Sequence, residues 1–206
     1  MARKLCKVCG LTRVEDVELC HSLGVDFIGF IFVPSSQRVV TAQFVASLPH
    51  GPARRVGVFA GTEPEEILAV AEAAKLDFFQ LHGGESPDIC EKLGAGRVIK
   101  TLWPENGSLE ELRDDMERFA PVCSYFLLDA GKNGGGSGNS LSFSRLSSLT
   151  FPRPWFLAGG LGPKTLETAL ATCSPDGVDL NSALEESPGL KNKTLLTQAV
   201  GLLHLL

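Results

Sequence analysis

"DFIGFIF", residues 26–32, is apolar at nearly every position and rich in phenylalanine and isoleucine. A strand with one wet face alternates apolar and polar residues. An unbroken apolar run of this length therefore reads as a strand buried on both faces, as in a parallel sheet. Seven similar runs recur along the chain, at 4–9 (KLCKVC), 54–60 (RRVGVFA), 77–82 (DFFQLH), 97–103 (RVIKTLW), 124–129 (SYFLLD), 154–158 (PWFLA) and 176–181 (DGVDLN).

Segments of helical period lie between them, near 14–23, 41–48, 64–75, 86–94, 108–119, 163–173 and 191–205. A serine-rich stretch at 143–149 carries the weakest helical signal. Thr12-x-x-Glu15, Ser108-x-x-Glu111 and Ser182-x-x-Glu185 have the form of capping boxes, and Pro64, Pro87 and Pro163 suit a first helical turn. Eight strands, each followed by a crossover helix, predict an α/β fold. The expected form is a single-domain (β/α)8 TIM barrel over residues 1–206 with a phosphate site at its C-terminal face. An open doubly wound sheet is the competing arrangement.

A chain of 206 residues, 44% hydrophobic and 21% charged, can bury a core without disulfide support. Its net charge of −5, with no basic cluster, argues against a nucleic-acid partner. No apolar run reaches the length of a membrane span, and "MARKLCKVCG" lacks a signal-peptide core, so a cytoplasmic protein with mostly free thiols is expected.

In such barrels chemistry sits at the carboxyl ends of the strands. Cys9 ends the first, three residues after Cys6, so the two point to opposite faces and make a poor redox or zinc pair. Cys9 is either a buried core thiol or an acid–base group, with Lys7 on its own face to favour the thiolate. Asp129 ends the sixth strand, as a loop carboxylate or a general acid. Arg38, after the second, is either a solvated charge or a fork for a carboxylate. Gln80 and His82 share a face at the end of the fourth strand, in structural or ligand-binding roles. Gly159 and Gly160 end the seventh strand, and the Ser182-x-x-Glu185 box follows the eighth, where barrels commonly hold phosphate on backbone amides.

"KVCGLT", "FIGFIF…R", "VGVF", "QLHGGE", "LLDAG…GGGSG", "FLAGGL" and "GVDLNSALEESPGLKN" occur in this order over residues 7 to about 192. Together they resemble the phosphoribosylanthranilate isomerase family of tryptophan biosynthesis. The resemblance implies an Amadori rearrangement without metal or cofactor, acting on a small phosphosugar–anthranilate substrate. It implies Cys9 as general base, Asp129 as general acid, Arg38 on the anthranilate carboxylate, and Gly159, Gly160, Asp179, Asn181 and Ser182 around the phosphate. Monomers and homodimers are both expected.

The sequence departs from the family pattern in places. Gln37 replaces a rigid proline before Arg38, Ser137 replaces a threonine, "NSLSFS" lacks an aspartate and a tryptophan, and Ala183 replaces a glycine. The first departure suggests a looser Arg38, and the last a slightly different phosphate geometry, since alanine does not cheaply adopt glycine's positive φ. A related isomerase of histidine biosynthesis and a non-catalytic phosphosugar-binding barrel are the alternatives. The first lacks support because strand one carries a cysteine where that enzyme has an aspartate, and the second needs neither Cys9 nor Asp129.

Overall fold

The computed structural model describes residues 3–129 and 146–205. Its strands are β1 (Leu5–Val8), β2 (Phe27–Ile31), β3 (Arg54–Phe59), β4 (Phe78–Leu81), β5 (Val98–Leu102), β6 (Tyr125–Leu128), β7 (Trp155–Leu157) and β8 (Gly177–Leu180). They close into one barrel in sequence order, every pair parallel, with β8 returning to β1. The open-sheet alternative is thereby excluded. Each strand lies within the expected run, shortened by a residue or two at its ends.

Helices α1 (Val14–Ser22), α2 (Ala42–Ser47), α3 (Pro64–Ala74), α4 (Pro87–Leu93), α5 (Leu109–Phe119), α6 (Leu166–Thr172) and α7 (Lys193–Leu205) connect or follow the strands. The "GGGSG" block and residues 143–145 of the serine-rich stretch fall outside the described residues; its remainder, 146–149, forms a turn in which the Leu149 N–H donates to the Leu146 carbonyl at 3.1 Å. Among the described residues no helix is long and apolar enough to cross a membrane.

Side-chain alternation explains why the barrel has a dry floor and a polar mouth. Phe27, Val56, Phe78, Ile99, Leu127 and Phe156 point inward and form a separate inner core. Phe27 packs edge-on against Phe78 and Phe156, with ring centroids 5.6 and 5.4 Å apart. The Arg54 guanidinium lies 5.9 and 5.6 Å from the Phe27 and Phe78 ring centroids and closes the floor. Residues of the opposite parity, such as Cys6, Ile28, Phe79 and Val178, build the larger core beneath the helices.

Local signals were met in some places and overruled in others. Ser108 and Glu111 form a complete capping box on α5, and Pro64 and Pro87 open α3 and α4. Thr12 does not cap α1: its hydroxyl donates to the Gly189 carbonyl at 2.6 Å, while Arg13 takes the cap position without a side-chain bond. Pro163 lies in the turn before α6, whose cap position is Thr165. Ser182 to Leu184 make only a single 3₁₀ turn without a side-chain cap, and the chain then folds into a short hairpin, β9 (Glu185–Ser187) with β10 (Leu190–Lys191). In both failed boxes a tertiary partner took the side chain that the local motif required.

Lys100 is a charged residue inside an apolar strand and faces the helical layer. Its Nζ lies 3.0 Å from Glu85, and the same carboxylate accepts the N–H groups of Gly61 at 3.0 Å and Gly83 at 2.9 Å. These contacts tie the turn after β3 to the turn after β4. Burial alone would raise the Glu85 pKa, but the Gly61 amide and the Lys100 ammonium bring it below its usual 4.5. A carboxyl lowered by folding contributes stability in full above its unfolded pKa and loses it as pH falls through the folded one. Lys100→Met is therefore expected to cost about 3–5 kcal/mol in urea denaturation, since it strands a buried charge. Its acid-unfolding midpoint should move to higher pH. A midpoint unchanged from wild type would show that the pair does not govern acid stability.

Candidate active site

The mouth is built by the same alternation that builds the floor. On β1, Leu5 packs on the inner core, so Lys7 and Cys9 follow it inward. On β6, Tyr125 and Leu127 point inward and Asp129 comes next. Phe78 leads in the same way to Gln80 and His82 on β4, and the outward Val178 and Leu180 leave Asp179 and Asn181 to face in from β8.

Cys9 is 4% exposed. It is seated against Gly29 of β2: a Cβ built on Gly29 would stand 2.7 Å from the Cys9 sulfur. Any side chain there would displace the thiol. Burial pushes the Cys9 pKa up, while Lys7 and Lys191 pull against that and Asp179 adds to it. Lys7 is fully buried and donates to Asp179 Oδ1 at 2.9 Å. Burial would lower its pKa, but Asp179 and Cys9 outweigh that and hold it above the ordinary value. The remaining cysteines, Cys6 included, are free and buried. Burial carries Cys20 and Cys123 to about 12, so they are inert thiols of the core. Among the described residues no cluster of three or more His, Cys, Asp or Glu side chains is arranged to hold a metal ion.

His82 brings Asp129 into a network. Its Nε2 lies 3.7 Å from Asp129 Oδ2, and its Nδ1 lies 3.2 Å from both Gln80 Nε2 and Thr101 Oγ1. Burial lowers the His82 pKa, which favours the neutral ring. With Gln80 Nε2 donating to Nδ1, the ring proton sits on Nε2, toward Asp129. Gln80 is 2% exposed, and its Oε1 has no partner among the described residues. It is a buried acceptor on an inward-facing side chain.

Arg38 is held firmly despite the missing proline. Its own N–H donates to Ser36 Oγ at 3.1 Å, and its guanidinium grips Glu185 through Nε at 2.9 and 3.1 Å and Nη2 at 2.6 Å. Its aliphatic stem crosses the chain just after Cys9: a Cβ on Gly10 would stand 2.7 Å from Arg38 Cδ and 2.7 Å from Asn181 Oδ1. Asn181 is engaged by Lys191, whose Nζ donates to Asn181 Oδ1 at 2.8 Å and to Glu185 Oε1 at 2.8 Å.

Gly159 and Gly160 have φ of 106° and 67°, which only glycine adopts without strain. The next glycine, Gly162, brings this turn against the one after β8, since a Cβ on it would lie 3.2 Å from that of Ala183. The two candidate phosphate turns therefore adjoin. Ala183 is not strained, because among the described residues Lys75 is the only non-glycine at positive φ. Glu85, Lys100, Glu185 and Lys191 were not singled out as site residues in the sequence. The signal available was charge placed within apolar strand or turn contexts, which demands a partner.

A family described as "PRAI: N-(5'phosphoribosyl)anthranilate (PRA) isomerase" matches residues 6–201. An N-(5'-phosphoribosyl)anthranilate isomerase of Maridesulfovibrio salexigens is 47% identical over 196 residues, covering 95% of this chain and 96% of its own. The crystal structure of phosphoribosyl anthranilate isomerase from Thermotoga maritima superposes with a TM-score of 0.87 at 32% identity, covering 98% of this chain and 100% of its own. A phosphoribosyl anthranilate isomerase in complex with reduced 1-(o-carboxyphenylamino)-1-deoxyribulose 5-phosphate gives a TM-score of 0.82 at 30% identity, covering 98% and 100%. With Cys9 just after β1, Asp129 just after β6 and adjoining turns after β7 and β8, the chain belongs to the N-(5'-phosphoribosyl)anthranilate isomerase family.

Proposed function

We propose that the chain converts N-(5-phosphoribosyl)anthranilate to 1-(o-carboxyphenylamino)-1-deoxyribulose 5-phosphate, an aldose–ketose isomerisation, with Asp129 as general acid and Cys9 as general base. The observation that carries this reading is the convergence of a buried thiol flanked by two lysines and a histidine-linked carboxyl on one barrel mouth. Asp129 protonates the ribose ring oxygen as the C1′–O bond breaks, and the nitrogen lone pair forms a Schiff base. The Cys9 thiolate then removes the C2′ proton, and the electrons of that bond move to the nitrogen to give an enolamine. Loss of the proton on the C2′ oxygen and protonation at C1′ complete the ketone. The anthranilate nitrogen accepts the electrons, so the chemistry calls for no cofactor.

The remaining residues divide between the two ends of the substrate. Arg38 takes the anthranilate carboxylate and the amides at Gly159, Gly160 and Ser182 take the phosphate, with Asp179 and Asn181 supporting the β8 side. Gln80 Oε1 accepts from a sugar hydroxyl, and His82 orients Asp129. Two anchors at opposite ends hold the reacting carbons between acid and base. All the named groups belong to one chain, so the site serves a cytoplasmic monomer or a homodimer equally.

Cys9→Ala and Asp129→Ala should each lower turnover by about 10²–10⁴-fold, the usual range for loss of a general acid or base. Binding of the reduced product should survive both changes. The assay forms the labile substrate in situ and follows the loss of its anthranilate fluorescence. Near-normal turnover in either variant removes that residue from its role.

The pH dependence carries a sign. Catalysis requires the thiolate, burial raises the Cys9 pKa, and Lys7 lowers it. The acidic limb of kcat/KM reports the free enzyme. It is expected above neutrality in wild type and higher still in Lys7→Met. A limb that stayed in place or moved down would show that Lys7 does not govern the thiol.

A further inference from the structure

Glu185 opens no α-helix, despite standing three residues after Ser182. Its carboxylate is 4% exposed and accepts four donors: Arg38 Nε and Nη2, Lys191 Nζ, and the Gly189 N–H at 3.1 Å. Burial would raise its pKa, yet Arg38 and Lys191 bring it below the usual range, so it is an anion. Lys191 is fully enclosed while Arg38 stays 21% exposed at the rim. Two cations and one anion leave a single positive charge there, beside Cys9.

An arginine has five N–H donors in a rigid plane. Glu185 takes the Nε–Nη2 edge in a two-pronged grip, which leaves the Nη1–Nη2 end of the fork. A carboxylate held by four donors is costly to displace, because each of those donors would lose its partner.

We propose that Glu185 is a positioning residue for carboxylate recognition: it clamps the side edge of Arg38 and turns the end of the guanidinium toward the mouth, where the aryl carboxylate docks without displacing Glu185. The proposal rests on the functional reading above. It also explains how Arg38 is fixed without the proline before it. The clamp comes from the β9–β10 hairpin, which is bonded in turn to the β1–α1 turn through Thr12 and Gly189.

The test compares two ligands by calorimetry: reduced 1-(o-carboxyphenylamino)-1-deoxyribulose 5-phosphate, and the counterpart made from aniline, which lacks the ring carboxylate. Wild type should prefer the first. Glu185→Gln, close in shape but uncharged, should weaken that ligand about tenfold to a hundredfold, the scale of a lost charge-assisted bond. Affinity for the aniline ligand should hold within about twofold, which a general loosening of the fold would not allow. Glu185→Asp keeps the charge but withdraws it by one methylene, and should show the same selective loss if Glu185→Gln does not fold. An unaltered preference in the folded variants overturns the clamp alone. Wild type that binds neither ligand overturns the functional reading beneath it.

Discussion

The ion pair between Lys7 and Asp179 is the contact on which the structure and the site both depend. The two residues are direct partners in the β1–β8 register, the last pairing needed to close the barrel. Both face inward, where an unpaired charge would cost several kcal/mol. Closure and charge satisfaction are thus one event. The pair also lies under Cys9, so the cation that helps close the ring is the one that favours a thiolate two residues along the same strand.

Two further buried carboxylates extend this logic around the rim. Glu85 joins the turns after β3 and β4, beside the His82 that reaches Asp129. Glu185 joins the turns after β2 and β8. Each is satisfied by backbone amides as well as by lysine or arginine, which offsets the desolvation that a bare ion pair would suffer. The mouth is a set of short turns, and turns carry few apolar contacts of their own. Charge networks supply the rigidity that the aromatic floor supplies below, and a general acid and base need that rigidity to stay in register with one substrate.

The sequence was most informative where one physical rule dominated. Strands buried on both faces stand out as apolar runs, so all eight were legible to within a residue or two of each end. Alternation along those runs placed Lys7 with Cys9 and Gln80 with His82. It failed where a residue had two suitors. Thr12 and Glu185 both stand in capping-box spacing, but each found a partner remote in sequence, and a local motif cannot show that contact. The β9–β10 hairpin was illegible for the same reason: it is held by Lys191 against Asn181 and Glu185 rather than by strand propensity. The family blocks pointed to Arg38 as a carboxylate ligand but not to its clamp, and the concern over Gln37 is answered by contacts from the far end of the chain.

A crystal structure of the wild-type protein with the reduced product bound tests the central claim most directly. The account predicts the phosphate on the turns after β7 and β8, Cys9 Sγ in contact with C2′, and an Asp129 oxygen at hydrogen-bond distance, about 2.6–3.2 Å, from the oxygen that closes the ribose ring. A sugar bound with either group turned away, or with Lys7 parted from Asp179 to admit it, would contradict the account.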